Sequence, residues 1–190
     1  MNTLRLPLPI NETLLLMPTR TLYWERTRTL FAAELRLAGV PSDEAALERL
    51  RRAVDHTQPQ RIIMLGSWFE ARRADLPPLL LVWLEQGRKL HQVGGRVTTL
   101  NDLACISYTG GPTPGPHFIL WDRPVQPAIG YALAPHNRPA LLDGEPVPCF
   151  VVGAALGLLP YLSDAPFEHP PYPTPSDDAA VYPISADTLL

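Results

Sequence analysis

The chain has few cysteines, a single lysine and no long apolar segment, and each shortage excludes a class of protein. Its two cysteines, Cys105 and Cys149, provide neither a disulfide framework nor a Cys-x-x-Cys pair. The longest apolar run, around Leu79–Leu84, is too short to span a bilayer. The N-terminus has no uninterrupted apolar segment of the kind found in secretory signals. We therefore expect a soluble protein of the reducing cytoplasm that does not enter membranes.

Several motifs that bind phosphate or activate a nucleophile are also missing. The sequence contains no Gly-x-Ser-x-Gly turn, no P-loop and no Gly-x-Gly-x-x-Gly fingerprint. None of its five histidines lies near another histidine, a cysteine or a carboxylate at the spacing of metal ligands. A serine hydrolase, a nucleotide-binding enzyme and a newly arranged metal site are therefore not predicted.

Charge is distributed unevenly along the chain. Residues 1–100 carry 14 Lys and Arg against 10 Asp and Glu, whereas residues 101–190 carry 2 against 9. All the basic residues except Lys89 are arginines, which bind phosphate and carboxylate groups bidentately. The excess in the first half is nevertheless far below the basic stripe of a dedicated nucleic-acid-binding domain.

The length of 190 residues predicts a single domain over 1–190. Proline is dense in its second half, and the Pro-rich segment at about 164–178 is expected to follow the surface toward a last edge strand. Hydrophobic patterns predict helices after Pro41 and over Pro77–Arg88. Predicted strands alternate with these helices in the first half and dominate the second, which favours a layered α/β or α+β fold. Those strands are Thr13–Met17, Thr21–Trp24, Thr29–Ala33, Arg61–Leu65, Leu90–Val93, Leu103–Ser107, His117–Trp121, Ala128–Leu133, Val147–Val152, Ala155–Leu159 and one near Val181.

The order of these segments resembles the calcineurin-like metallophosphoesterases, most closely the bacterial ligase-associated DNA-damage-response endonucleases. That group has a Leu-Tyr-Trp hairpin, an Ala-Asp-Leu-His-Leu strand end, a Leu-Gly-Asp strand end and a Leu-Pro-Cys-Phe strand. The corresponding segments here are Leu22–Trp24, Ala33–Leu37, Leu65–Ser67 and Val147–Phe150. The resemblance implies a four-layer αββα sandwich of two mixed β-sheets flanked by helices. It also implies loops at the strand ends that, in the family, hold two divalent metals such as Mn.

The metal-binding positions of that family are replaced in this sequence. Glu34 stands for the first Asp, Arg36 for the adjacent His, and Ser67 for the bridging Asp. The remaining replacements lie at Arg96 and Val97 for Asn and His, Tyr108 for a lone His, and Pro124 and Gln126 for the last two His. Only Glu34 is still a good metal ligand. We therefore predict that the site holds no metal and no catalytic residues.

Electrostatics supports the same prediction. Two divalent ions bring about four positive charges, which anionic ligands must balance. At an effective dielectric constant of about 20, an arginine 4 Å from a divalent ion costs roughly 8 kcal/mol. We expect Glu34 to form a structural ion pair with Arg36 or Arg96 instead. The Trp68–Phe69 pair follows Gly66–Ser67, and we expect these rings to fill the vacated metal cavity.

The preferred interpretation is a pseudoenzyme with a binding or scaffolding role, which the resemblance links to DNA repair. Its partner would be a protein or a nucleic acid, and its oligomeric state is left open. The candidate binding residues are Arg49, Arg51, Arg52, Arg72, Arg73 and Trp68. One alternative is a residual metal-dependent phosphodiesterase or nuclease with a remodelled site built from Glu34, Glu70 and Asp122. A third possibility is an oligomerisation module without a ligand.

Overall fold

The computed structural model describes residues 2–37, 42–68, 77–94, 107–108, 111–112, 118–120, 131–164, 178–185 and 188–189. These residues form two seven-stranded β-sheets, a small hairpin and two helices. No helix in these ranges is long and apolar enough to cross a membrane.

The first sheet is built in the order of the sequence, so each strand pairs with the next one along the chain. Its strands are β1 (Leu4–Leu8), β2 (Glu12–Met17), β3 (Thr21–Trp24), β4 (Thr29–Ala33), β5 (Arg61–Leu65), β6 (Lys89–Val93) and β7 (Ser107–Tyr108). Strands β1 to β4 are antiparallel, and β4 to β7 are parallel. Helices α1 (Ser42–Thr57) and α2 (Pro78–Glu85) connect β4 to β5 and β5 to β6. Parallel strands need such crossovers, and a helix is the usual one.

The second sheet has a rearranged strand order, β16-β15-β13-β14-β10-β9-β8. Strand β10 lies parallel to both β9 and β14, while the other described pairs are antiparallel. A separate hairpin, β11 with β12, follows β10. The strands are β8 (Gly111–Pro112), β9 (Phe118–Leu120), β10 (Tyr131–His136), β11 (Ala140–Leu142), β12 (Glu145–Val147), β13 (Cys149–Val152), β14 (Leu156–Pro160), β15 (Ala180–Ser185) and β16 (Thr188–Leu189).

The first sheet buries both of its faces, because its strands alternate side chains between two cores. In β4 and β5, Leu30 and Ile62 pack toward the two helices. Their chain neighbours Phe31 and Ile63 pack toward the second sheet. This explains why β5 is a continuous apolar run in the sequence. In the second core, the Trp24 ring packs edge-on against Phe118, with ring centroids 4.8 Å apart.

The predicted two-sheet sandwich is confirmed. Among the described residues both helices lie against the first sheet, so helices cover one outer face of this part of the molecule. The predicted strands Thr21–Trp24, Thr29–Ala33 and Arg61–Leu65 match β3, β4 and β5. Strand β1 and the β11–β12 hairpin were not predicted. The prediction for Leu103–Ser107 lies largely outside the described residues, as does nearly all of the Pro-rich segment at 164–178.

Candidate functional site

The parallel strands of the first sheet end side by side and bring the first candidate positions together. Glu34 follows β4, Gly66 and Ser67 follow β5, and Gly94 follows β6. Open α/β sheets bind ligands at this edge, outside the carboxyl ends of the strands. The second sheet contributes as well, because the Leu162 amide donates to the Ala33 carbonyl at 2.8 Å.

The two loops at this edge are joined by backbone hydrogen bonds. The amides of Leu35 and Arg36 both donate to the Ser67 carbonyl, at 3.0 and 3.1 Å, and the Leu37 amide donates to the Trp68 carbonyl at 3.0 Å. Glu34 and Arg36 have positive φ angles of 44° and 46°. Non-glycine residues adopt this left-handed conformation rarely, and it is a strain often found at functional sites. The backbone pairing holds the two side chains in place.

The Glu34 carboxylate is the central group of this cluster. Its side chain is 5% exposed, and its Oε2 accepts hydrogen bonds from Arg36 Nε at 2.7 Å and from the Ser67 amide at 3.2 Å. Of the two predicted partners of Glu34, Arg36 is therefore confirmed, and the other, Arg96, lies outside the described residues. A charge-assisted bond of this length is among the stronger hydrogen bonds in proteins.

Gly66 provides the space for this carboxylate. A Cβ atom at residue 66 would overlap Oε1 and Cδ of Glu34, and the φ angle of Gly66 is 88°. Only glycine combines an easy left-handed conformation with the absence of a side chain. Gly66 is thus fixed by both its backbone conformation and its neighbour.

The described residues do not fit a two-metal centre. Such a centre needs several carboxylate and imidazole ligands around two ions. Here one carboxylate already accepts two hydrogen bonds, and one of its donors is the permanently charged guanidinium of Arg36. Within the described ranges, no three His, Cys, Asp or Glu side chains are grouped so that they could hold a metal ion. Tyr108 lies in β7, where it pairs with Val93 of β6. The other candidate positions lie outside the described residues: Arg96, Val97, Pro124 and Gln126.

Comparison with solved structures shows what this fold is similar to. No protein-family model and no curated protein matches this chain. A solved structure, that of the Pseudomonas putida nuclease MPE, superposes with a TM-score of 0.78 and 22% sequence identity. The match covers 99% of this chain and 98% of that chain. The fold is nuclease- and phosphoesterase-like. This likeness concerns the architecture of the two sheets and leaves the activity to be argued from the site.

Trp68 does not occupy the position expected from the sequence. Its side chain is 1% exposed and packs in the core between the first sheet and the helices. Its indole Nε1 donates to the His91 carbonyl at 3.1 Å. Trp68 is one of the binding candidates, but its ring is not accessible to a partner, because the β5 loop turns it toward the helices and away from solvent. Phe69 lies outside the described residues.

The arginines of α1 are less available than the sequence suggests. Arg49 donates to the Leu162 carbonyl and pairs with Asp164, and its side chain is 16% exposed. Arg51 is more exposed but lies between Glu48 and Asp55, one turn away on either side, at 2.6 and 2.7 Å.

The remaining binding candidates add little to this surface. Arg52 is partly buried and has an interaction of its own. Arg72 and Arg73 lie outside the described residues. The described part of α1 therefore presents arginine charges that its neighbours largely neutralise.

Sequence reasoning missed a second charged cluster near the same edge. Asp164 pairs with Arg20 Nη1 at 2.6 Å and also with Arg49. Burial opposes ionisation of Asp164, but the hydrogen bonds and charges of Arg49 and Arg20 outweigh it and hold its pKa below the ordinary value. Arg20 and Asp164 are 144 residues apart in the chain, so no local motif could have shown this pairing.

Proposed function

We propose that this chain is a catalytically inactive homologue of the metallophosphoesterases that binds a partner instead of hydrolysing a phosphodiester. The observation that supports this proposal is the ion pair between Glu34 and Arg36. Glu34 is the described carboxylate best placed to bind a metal at the strand ends, and Arg36 Nε lies 2.7 Å from its Oε2. A metal ion at Glu34 would have to displace a guanidinium that follows two residues later in the chain.

The energetic cost of that displacement is large. The Glu34 side chain is 5% exposed and that of Arg36 is 26% exposed, so water screens their charges weakly. Separating a buried pair leaves an uncompensated charge and costs about 3–5 kcal/mol. A divalent ion close to the released guanidinium would add Coulomb repulsion. With Ser67 in place of a bridging carboxylate, nothing among the described residues offsets these terms.

We further propose that the partner is a protein. The net charge of −3 and the pairing of Arg49 and Arg51 with carboxylates both weaken the case for a nucleic-acid surface. Nucleic-acid binding releases counterions and depends steeply on salt. Copurification from the native cell at low and high salt separates the two classes, since a nucleic-acid partner would be lost at high salt. A DNA-repair setting remains part of this proposal through the resemblance stated above.

The second candidate function is a residual metal-dependent phosphodiesterase or nuclease. The observation in its favour is the likeness to the Pseudomonas putida nuclease over 99% of this chain. It requires a remodelled site that includes Glu34, Glu70 and Asp122, of which Glu70 and Asp122 lie outside the described residues. Arg36 is the described residue that opposes it.

The two candidates are separated by measuring metal content and hydrolysis together. The purified protein is incubated with Mn²⁺, dialysed, and assayed for bound metal and for cleavage of bis(p-nitrophenyl) phosphate and single-stranded DNA. We expect substoichiometric Mn²⁺ and no hydrolysis above background. A Glu34→Asp, Arg36→His, Ser67→Asp variant is the positive control, because it restores three ligand types and should bind Mn²⁺ more tightly. Stoichiometric Mn²⁺ in the unmodified protein, with hydrolysis that Glu34→Gln abolishes, would overturn the proposed function.

A further inference from the structure

Four cations lie together at the amino ends of the parallel strands β4, β5 and β6. Arg28 directly precedes β4, Arg61 begins β5, and Arg88 and Lys89 lie at the start of β6. The Arg61 amide donates to the Arg28 carbonyl at 3.3 Å, and Arg61 pairs with Lys89 in the sheet register. We call these four residues the basic edge. It lies at the opposite end of the strands from Glu34 and is therefore separate from the strand-end cluster.

The groups that hold the arginines of the basic edge are neutral. Arg28 Nη2 donates to the Gln58 backbone carbonyl at 2.6 Å, and Arg88 Nη2 donates to the Gln58 side-chain oxygen at 2.9 Å. Arg88 Nη1 also donates to the side-chain oxygen of Gln86. An amide oxygen orients a guanidinium group, but it carries no net charge to compensate the cation. Arg28 and Arg88 are therefore positioned without being neutralised.

The ion pairs of the described residues all lie elsewhere, and none of them joins a carboxylate to the basic edge. The carboxylates that are nearest along the chain are Glu25, Asp55 and Glu85. Glu25 pairs with Arg5, and Asp55 pairs with Arg51. Glu85 is exposed at the end of α2 and forms none of these ion pairs. The positive charge of the basic edge is thus not balanced within the described part of the chain.

This charge is accessible to a partner. Arg28 and Lys89 are exposed, and Arg61 and Arg88 are partly buried. Burial and the charges of Arg61 and Lys89 lower the pKa of His91, so that ring is neutral near pH 7 and adds no charge. Adjacent strands lie about 4.8 Å apart, so the cations follow one another along the edge of the sheet. Such a row is complementary to a chain segment that carries several anionic groups.

An apolar patch on α2 adjoins the basic edge. Leu81 and Val82 are each 44% exposed. The Gln86 amide donates to the Val82 carbonyl at 3.0 Å, and the Gln86 side chain accepts from Arg88. Cations beside exposed apolar side chains suit a protein segment better than a nucleic-acid strand. Single strands are bound by stacking on aromatic rings as well as by cations, and the exposed large apolar side chains of the described residues include no aromatic ring.

We propose that the basic edge and the Leu81–Val82 patch form a docking surface for an acidic segment of a protein partner, with apolar side chains between its carboxylates. The carboxylates would pair with the guanidinium and ammonium groups of the edge, because arginine binds carboxylates bidentately. The apolar side chains of the segment would pack on Leu81 and Val82. This inference rests on the proposed function for the class of partner, a protein, and specifies where on the chain that partner binds.

Binding is tested on the full chain by fluorescence anisotropy, with a labelled twelve-residue peptide of four Asp-Asp-Leu repeats as the probe. Control peptides of Asn-Asn-Leu and Asp-Asp-Ser repeats keep only the apolar or only the acidic side chains, and a twelve-nucleotide thymidine strand represents nucleic acid. We expect the Asp-Asp-Leu peptide to bind at least about tenfold more tightly than any of the three, and less tightly as salt is raised. No measurable binding of this peptide, or binding no tighter than that of a control, would overturn the proposal.

Variants locate the docking surface. Replacing both exposed cations, in Arg28→Gln with Lys89→Gln, should weaken binding of the Asp-Asp-Leu peptide about tenfold and reduce its salt dependence. Leu81→Ser should weaken it about threefold and leave binding of the Asp-Asp-Ser peptide unchanged. Arg51→Gln is the matched control, because carboxylates already neutralise that arginine, and it should keep full affinity. Full affinity in the double variant, or an equal loss in Arg51→Gln, would overturn the proposal, provided that circular dichroism shows each variant to be folded.

The metal and hydrolysis assay given under the proposed function separates the two ideas. Stoichiometric Mn²⁺ with hydrolysis, together with peptide binding at the basic edge, would overturn the inactive function and support the docking surface. An inactive protein without bound Mn²⁺ that also fails to bind the peptide would overturn the docking surface alone.

Discussion

Two carboxylates near the same edge of the molecule are held in opposite ways. Glu34 is buried and paired with Arg36, two residues along the chain. Asp164 is 47% exposed and pairs with Arg20 from the β2–β3 turn and Arg49 from α1. The first pair is formed within one loop, whereas the second ties the end of β14 to two elements of the first half of the chain.

This difference determines what each carboxylate can do. Glu34 is enclosed by its own loop and by Gly66, and Arg36 neutralises its negative charge, so the carboxylate is not available to another ligand. Asp164 is half-exposed, although the side chains of its partners Arg20 and Arg49 are only 14% and 16% exposed. Glu34, the enclosed carboxylate, lies at a position that is a metal ligand in the resembled family. Asp164, the half-exposed carboxylate, matches no motif.

The largest effect is expected from filling the space beneath Glu34. Gly66→Ala places a Cβ against the Glu34 carboxylate and forces alanine into a left-handed conformation. We expect the free energy of unfolding, measured by chemical denaturation, to fall by about 4 kcal/mol. Gly87→Ala is the matched control, because its φ angle is 78° with no atom within 4 Å of the added Cβ. Its free energy of unfolding should fall by only about 1 kcal/mol. Equal losses in the two variants would contradict the close contact between Gly66 and the Glu34 carboxylate.

The next effect concerns pH and the buried side chain of His136. Burial lowers the pKa of His136 from 6.5 to about 4, so the unfolded chain takes up the proton first as pH falls. Its contribution to stability is therefore full above pH 6.5 and lost as pH falls toward 4, by up to about 3 kcal/mol. Unfolding free energies measured from pH 7 to 4 should show this fall. His136→Asn should flatten it, and an unchanged slope in that variant would assign the fall to other groups.

The smallest effect compares the two carboxylates directly. Glu34→Gln keeps a hydrogen-bond acceptor beside Arg36 but removes its counter-charge, and should cost about 2–3 kcal/mol of unfolding free energy. Asp164→Asn removes a half-exposed partner and should cost about 1 kcal/mol. Raising the salt concentration should shrink the Asp164→Asn effect and leave that of Glu34→Gln nearly unchanged, because salt screens exposed charges more strongly. A reversed order would mean that the long-range cluster is the stronger of the two.

Much of the fold could be predicted from local patterns. The bounds of β3, β4 and β5 were predicted because these strands are uninterrupted apolar or β-branched runs that end at polar or glycine residues. The Glu34–Arg36 pair is one of two alternatives, Arg36 or Arg96, that follow from the resemblance, because it places all three residues at metal-binding positions of the family. The strand bounds, in contrast, depend only on patterns within a few residues.

The failures have equally physical causes. Pro7 made the alternating β1 segment unlike a strand, although proline is tolerated in edge strands. The β11–β12 hairpin carried an Asp143–Gly144 signal that was overlooked, and both residues have positive φ angles as such two-residue turns require. The direction of the Trp68 ring and the Asp164 cluster depend on the packing of distant elements. No local pattern determines them.

The order of strands in the two sheets has a consequence for synthesis of the chain. Each strand from β2 to β7 pairs with the strand immediately before it in the sequence, so the first sheet can form strand by strand during synthesis. The second sheet cannot, because β14 must enter between β13 and β10, both made earlier. Until β14 is synthesised, β10 is paired with β9 on one side only, and the backbone groups on its other side have no strand partner. The second sheet is therefore the part of the described chain that keeps an unpaired strand edge exposed for longest during synthesis.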